Sequence, residues 1–213
     1  MDADKVKIYQ ACDKAIKALN RANVELFGRM KMAKWDEIHV IRTVRTVYEQ
    51  SETAARKRYR TVAIEAYVVG LMVCGFTEEE ARRRARKEIT QTWVDDILER
   101  TDPVTEFRFD AEADRKAARL AEQLEITTAR SRAIDVALRY WSQQLGQYAI
   151  NITDYAFIKA MKNAGVKKVK WISVRDERRC QTCRTRDGHV YSIDAIPPKP
   201  HWGCRCILMP VME

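Results

Sequence analysis

Apolar positions recur at three- and four-residue steps through most of the chain. Between Ala3 and Lys31, Tyr9, Cys12, Ile16, Leu19, Leu26 or Phe27, and Met30 fall on one face, with Lys, Asp and Asn between them. That spacing predicts an amphipathic helix. A second helix is predicted from Asp36, a residue suited to an N-cap. Ile38, Ile41, Val44 and Tyr48 mark its apolar stripe. The pattern turns polar from Glu49 to Arg60 and apolar again from Val62 to Cys74, with no Gly or Pro before Gly70. Read as one helix, the run is about 55 Å long at 1.5 Å per residue, a long arm with a polar waist.

Gly75 ends that run. Thr77, with Glu80 three residues on, has the capping-box arrangement, and Ala81, Ala85, Ile89, Trp93 and Ile97 give the next apolar face. The stretch from Arg100 to Thr105, containing Asp102-Pro103, reads as a loop and a hinge. Asp110 to Leu124, rich in Ala, Glu, Arg and Lys, reads as a solvated helix. Ile134, Leu138, Trp141, Leu145 and Tyr148 continue the helical period. Tyr155, Ile158 and Met161 repeat it on a shorter helix that Gly165 closes.

After Gly165 the period changes from three-to-four to two. Val169, Trp171 and Ser173 alternate with Lys170, Ile172 and Val174, which predicts a strand; His189 to Ile193 and Cys204 to Val211 are two further β candidates. The fold class expected is mainly α: an elongated helical body followed by a small α+β C-terminal module. The expected divisions are residues 1–101, a long-helix region; 102–164, a second helical region; and 165–213, the Cys/His module.

Composition narrows the alternatives. Only 7 Gly and 5 Pro occur in 213 residues, and three of the Pro lie between Pro197 and Pro200, too few turn formers for a β-sandwich or barrel. No window approaches the roughly 18–20 apolar residues of a membrane span; the best candidate, Ala63 to Cys74, is short and contains Glu65. The opening Met-Asp-Ala-Asp-Lys lacks the basic segment and apolar core of a secretory signal, so a reducing cytoplasm is expected. Thiols there are more often ligands or buried apolar groups than disulfides.

Four of the six Cys fall in the last 34 residues: Cys180 and Cys183 as CxxC, Cys204 and Cys206 as CxC, with His201 three residues before Cys204. A CxxC turn brings two thiolates to one side, and a second pair some twenty residues on can complete a tetrahedron around zinc. Five candidate ligands compete for four positions. Cys180, Cys183 and Cys204 come first, and the fourth is Cys206 or His201. Residues i and i+2 of a strand share a face, so Cys204 and Cys206 suit a common ion. Free or buried thiols, or a disulfide or redox pair, are the alternatives. Cys12 and Cys74 lie on apolar helix faces and read as core.

These residues carry a family resemblance. The run WISVRDERRCQTCRTRDGHVYSIDAIPPKPHWGCRCILMPV resembles the signature of the phage Mu F-like minor head (head morphogenesis) proteins: Trp171, Asp176, Cys180 and Cys183, Asp187-Gly188, Tyr191, Pro197-Pro198, then His201, Cys204, Arg205 and Cys206. The resemblance covers about the last 60 residues. The family's helix triplet, similar to Arg-Thr-Glu, corresponds here to Ile152-Thr153-Asp154, without the Arg; its His-Pro-Asn-Cys is His201-Trp202-Gly203-Cys204. The resemblance implies a virion protein, made in the host cytoplasm and residing in the head at the portal vertex or capsid interior. Its implied partners are portal or capsid proteins, and its implied roles are head assembly and the fate of DNA at packaging or ejection.

Charge adds a second partner. Lys+Arg number 39 against 30 Asp+Glu, a net +9, and from Gly165 onward ten basic residues face five acidic ones. Non-specific contact with packaged double-stranded DNA would use Arg175, Arg178, Arg179, Arg184 and Arg186; basic protein-docking surfaces have the same composition. The runs at Arg56 to Arg60 and Arg82 to Lys87 read as solvated faces offset by nearby acids. Trp171, Trp202 and Tyr191 are expected to form a small core around the Cys pairs, with base stacking the alternative. No catalytic residue is expected. His189 and His201 lie near Asp187 and Asp194, but four protein ligands would close a zinc site to water. A basic zinc-containing DNA-binding protein, or a mobile-element toxin or nuclease domain, are the rival readings.

Overall fold

The computed structural model describes residues 3–33, 37–100, 102, 106, 108–174, 179–204 and 206–211. Among these, seven helices precede or interrupt a three-stranded sheet. The helices are α1 (Ala3–Lys31), α2 (Glu37–Met72), α3 (Glu78–Glu88), α4 (Gln91–Leu98), α5 (Phe109–Ile126), α6 (Arg130–Asn163) and α7 (Gln181–Arg186). The strands are β1 (Lys168–Ile172), β2 (Val190–Ser192) and β3 (Ile207–Val211), in the order β2-β1-β3 with both pairings antiparallel.

The long helices α1, α2 and α6 pack on one another, and α5 closes the bundle against α2 and α6. The predicted long second helix is a single element of 36 residues. Its polar waist stays inside the bundle, because Ser51, Ala55 and Tyr59 keep the buried stripe while their charged neighbours face outward. Small or hydrogen-bonded side chains there allow close packing: Trp141 Nε1 donates to Ser51 Oγ at 2.7 Å, and Tyr59 donates to the Leu145 carbonyl at 2.8 Å. Around them sits an aromatic cluster. Phe109 stacks on Trp141 at 5.9 Å and meets Tyr148 edge-on at 4.8 Å, while Tyr48 lies 5.2 Å from Trp141. Such pairs add about 0.5–1.5 kcal/mol each beyond the area they bury.

Three helix expectations are corrected. The face from Ala81 to Ile97 is two helices, α3 and α4. Thr90 interrupts it by taking extended backbone and accepting from the Trp93 N–H at 3.0 Å as the cap of α4. The helix expected to be solvated, α5, buries Ala113, Ala117, Leu120, Ala121 and Leu124; its alanines let it lie close to the bundle, and even Glu112 is buried, paired with Arg115 and Lys116. The separate short helix at Tyr155 to Met161 is the end of the 34-residue α6, which runs unbroken through Gly146. Thr77 caps α3 as expected, accepting from the Glu80 N–H. The Asp36 cap and most of the stretch from Arg100 to Thr105 lie outside the described residues.

The sheet packs on the C-terminal part of α6. Val169, Ile193 and Ile207 join Phe157, Met161 and Val166 in a second apolar cluster, with Val69, Val73 and Cys74 from the end of α2 against it. Cys12 is wholly buried.

Candidate metal centre

The module is built so that its Cys side chains converge. Cys180 caps α7: its Sγ accepts from the Cys183 N–H at 3.3 Å, which turns both sulfurs to one side. Asp187-Gly188 then makes the expected turn, with Gly188 at a φ of 84° and its N–H on the Trp171 carbonyl at 2.8 Å. The Asp187 carboxylate accepts from the Ser173 N–H at 2.9 Å and faces Arg179 at 3.4 Å. Those bonds tie the Cys180–Cys183 turn to the strand that carries Trp171. The short helix that carries Cys183 was not legible, because Gln181 to Arg186 spans too few residues to show a period.

All five predicted ligands come together. Cys180, Cys183 and His201 form one group, and Cys183, Cys204 and Cys206 a second; within each group the donor atoms lie within 4.8 Å of one another. Cys183 is common to both. Its Sγ is 3.6 Å from His201 Nε2 and 3.6 Å from Cys204 Sγ. Zn–S bonds of about 2.3 Å in a tetrahedron give sulfur separations of about 3.8 Å, so these spacings suit a shared ion. Four sulfurs and one imidazole form a donor set for a borderline-soft metal. Cys183, Cys204 and Cys206 are buried with Trp171 in a cluster of their own. An open hollow of about 380 Å³ reaches Cys180, Cys183 and His201 from outside, which supplies an entry path.

The electrostatics separate the thiols. Burial pushes Cys183 up to about 12. The neighbouring Cys206 thiol, together with burial, pushes Cys204 up as well. Cys206 is held below its ordinary value by its hydrogen bond with Cys204, against burial. The buried Trp171 indole N–H has no hydrogen-bond partner among the described residues, and its nearness adds to the lowering of the Cys206 thiol. Cys180 also lies below its ordinary value: burial opposes this, but the Cys183 N–H and the His201 ring outweigh it. His201 is raised, first by its contact with the Trp202 carbonyl, where Nδ1 lies 2.8 Å from the oxygen. That contact fixes Nδ1 as the protonated nitrogen and turns Nε2 toward Cys183, the orientation a metal-binding imidazole takes.

Two expectations differ. Cys204 and Cys206 precede β3, which begins at Ile207, so strand alternation does not aim them. Trp202 is 43 % exposed and outside the small core, whereas Trp171 and Tyr191 form it, with ring centroids 6.3 Å apart.

Two of the three described basic residues of the predicted set have partners within the module. Arg179 pairs with Asp187, and Arg186 donates to the Pro198 carbonyl at 2.6 Å and lies over the Trp171 ring. Arg184 is exposed, while Arg175 and Arg178, like Asp176 and Arg205, lie outside the described residues. In the helical body, Arg56 pairs with Glu52 and Asp95, Arg82 with Glu65 and Glu78, and Arg84 with Glu80, as a balanced charged face requires.

Sequence reasoning did not find the side chains that hold the Cys204–Cys206 segment from the helical body. Asp154 on α6 pairs with Lys199 at 2.6 Å, and Tyr9 on α1 donates to Asp154 at 2.7 Å. Gln147 on α6 accepts from the Gly203 N–H at 2.7 Å. The only signal was the position of Asp154 in the helix triplet.

Fold and site together define a helical protein carrying a small Cys/His module with the donors for a metal ion. The family model described as Phage Mu protein F like protein matches residues 112–209, from within α5 into β3, a little less than half of the chain. No curated protein and no solved structure matches it. The matched segment begins well before the C-terminal residues that carry the resemblance in the sequence, and it includes all five candidate ligands. No helix among the described residues is long and apolar enough to cross a membrane.

Proposed function

We propose that the chain is a minor head protein of a phage: a non-catalytic component of the capsid interior or portal vertex that acts in head assembly. The observation that carries this reading is the family match over residues 112–209, which takes in the convergent Cys/His donors. The helical body offers the surface for portal or capsid partners. The C-terminal module is a docking unit whose fold depends on Zn²⁺, held by Cys180, Cys183 and Cys204 with Cys206 or His201 as the fourth ligand. A role at DNA packaging or ejection follows from the same placement. Mass spectrometry of purified procapsids and mature particles tests the reading. A few copies per portal in both are expected, and absence from both would overturn it.

Non-specific contact with packaged DNA is a second, narrower reading. It rests on the basic excess after Gly165 and the exposed Arg184. It predicts duplex binding that weakens steeply with salt. Binding indifferent to salt, or none at low salt, would remove it.

A further inference from the structure

We infer that Tyr9, Gln147, Asp154 and Lys199 are positioning residues for the metal, through which the helical body holds the HxxCxC segment in its ligating conformation. This rests on the metal reading above.

The argument starts from a missing ladder. Two Cys at i and i+2 send both sulfurs to one ion only while the backbone between them keeps one conformation. In a strand, neighbouring strands would fix that backbone through its N–H and C=O groups. Cys204 and Cys206 lie before β3, so strand pairing does not hold them. Side chains from elsewhere in the chain take that place. Lys199 Nζ donates to the Cys204 carbonyl at 3.1 Å. The Tyr9 hydroxyl approaches the Cys206 carbonyl at 3.4 Å. Gln147 Oε1 accepts the Gly203 N–H at 2.7 Å, just where the chain takes a φ of 66° to turn toward Cys204. The Cys204 carbonyl and the turn before it are thus bonded to groups rooted in the Pro-rich loop and α6, and the Tyr9 hydroxyl of α1 lies against the Cys206 carbonyl.

Asp154 organises the set. Its two oxygens take Lys199 at 2.6 Å and the Tyr9 hydroxyl at 2.7 Å, and Lys199 donates to the Tyr9 oxygen at 2.8 Å. The three side chains form a closed triangle. The carboxylate takes the phenol's one proton and, with the phenol oxygen, fixes the ammonium, whose remaining proton is aimed at the Cys204 carbonyl. Lys199 also lies 5.3 Å from the Tyr9 ring centre, so the tyrosine holds the cation with its face as well as its oxygen. Groups that orient the ligands of a metal without touching it typically contribute 10–100-fold to its affinity.

The test uses the full-length protein. Zn²⁺ affinity is measured by competition with a chromophoric chelator, the Co²⁺-loaded form is followed by its thiolate-to-metal absorption, and helical content by circular dichroism. Asp154→Asn and Lys199→Met should each bind Zn²⁺ about 10–100-fold more weakly, with altered Co²⁺ absorption and unchanged helical content. Lys199→Arg, which keeps the charge and a donor, should recover part of the loss. Should Asp154→Asn fail to fold, Tyr9→Phe decides. It removes one hydroxyl and should still weaken Zn²⁺ several-fold. Wild-type affinity in all these variants would overturn this inference alone. A wild-type chain that binds neither metal would overturn the metal reading, and this inference with it.

Discussion

Gly70 on α2 lies against Ala160 on α6 so closely that a Cβ at position 70 would sit 2.6 Å from the Ala160 Cβ and 3.1 Å from the Phe157 carbonyl oxygen. Neither neighbour is the free end of a flexible side chain. The glycine therefore sets how near the two longest helices come at the end of the bundle where the sheet is seated, since Phe157 also belongs to the cluster under the sheet. Gly70→Ala should lose stability by about 1–3 kcal/mol through overpacking, more than the helix propensity it gains. Gly28→Ala is the control. Nothing lies within 4 Å of a Cβ there, so it should gain about 0.5–1 kcal/mol. Urea unfolding of the two variants reads both signs.

Ser51 relays a hydrogen bond through the bundle centre, accepting from Trp141 Nε1 at 2.7 Å and donating to Asn23 Oδ1 at 2.5 Å. Ser51→Ala leaves the buried indole N–H and the Asn23 oxygen without that partner. The expected loss is about 1–3 kcal/mol, with a shift in Trp141 fluorescence. An unchanged unfolding midpoint would show that the relay contributes nothing.

The break between α3 and α4 depends on a cap rather than on Gly or Pro. Thr90→Ala removes the acceptor for the Trp93 N–H and should cost about 0.5–2 kcal/mol. Hydrogen exchange should quicken first in the opening turn of α4.

Glu88 at the end of α3 meets Lys159 of α6 at 3.1 Å, and that hydrogen bond lowers its carboxyl pKa below 4.5. A lowered carboxyl stabilises the fold above its unfolded pKa, and the contribution disappears as pH falls through the folded value. The pair is about one-third exposed, so solvent screening keeps its worth below about 1 kcal/mol. Glu88→Gln should be slightly less stable than wild type at pH 7. The gap between the two variants should begin to close as pH falls below 4.5 and vanish once it passes the lower folded value. A gap that persists in acid would assign the effect to something other than the charge.

The particular elements show what the sequence could disclose. Periodicity located α1 and α2 by their three- and four-residue steps and β1 by its two-residue alternation, because each stripe is long or regular enough to stand out. It misjudged α5, whose buried face is mostly alanine and so resembles a solvated helix in composition. It missed the Thr90 break, where one hydroxyl outweighs an unbroken apolar pattern. The ligands were legible as CxxC, CxC and His201 because spacing alone restricts where sulfurs can go. The groups that hold them were not. Tyr9 and Asp154 are 145 residues apart, and only the folded bundle brings α1 and α6 to the same loop.

Metal content of the full-length chain, purified under reducing conditions without added metal, tests the central claim most directly. Elemental analysis should find about one zinc per chain in wild type and little in Cys183→Ser, since Cys183 belongs to both donor groups. Chelation should then release the Trp171 environment, seen in near-ultraviolet circular dichroism, while the helical signal persists. A metal-free wild-type protein whose Trp171 signal does not respond to zinc or chelator would contradict the account.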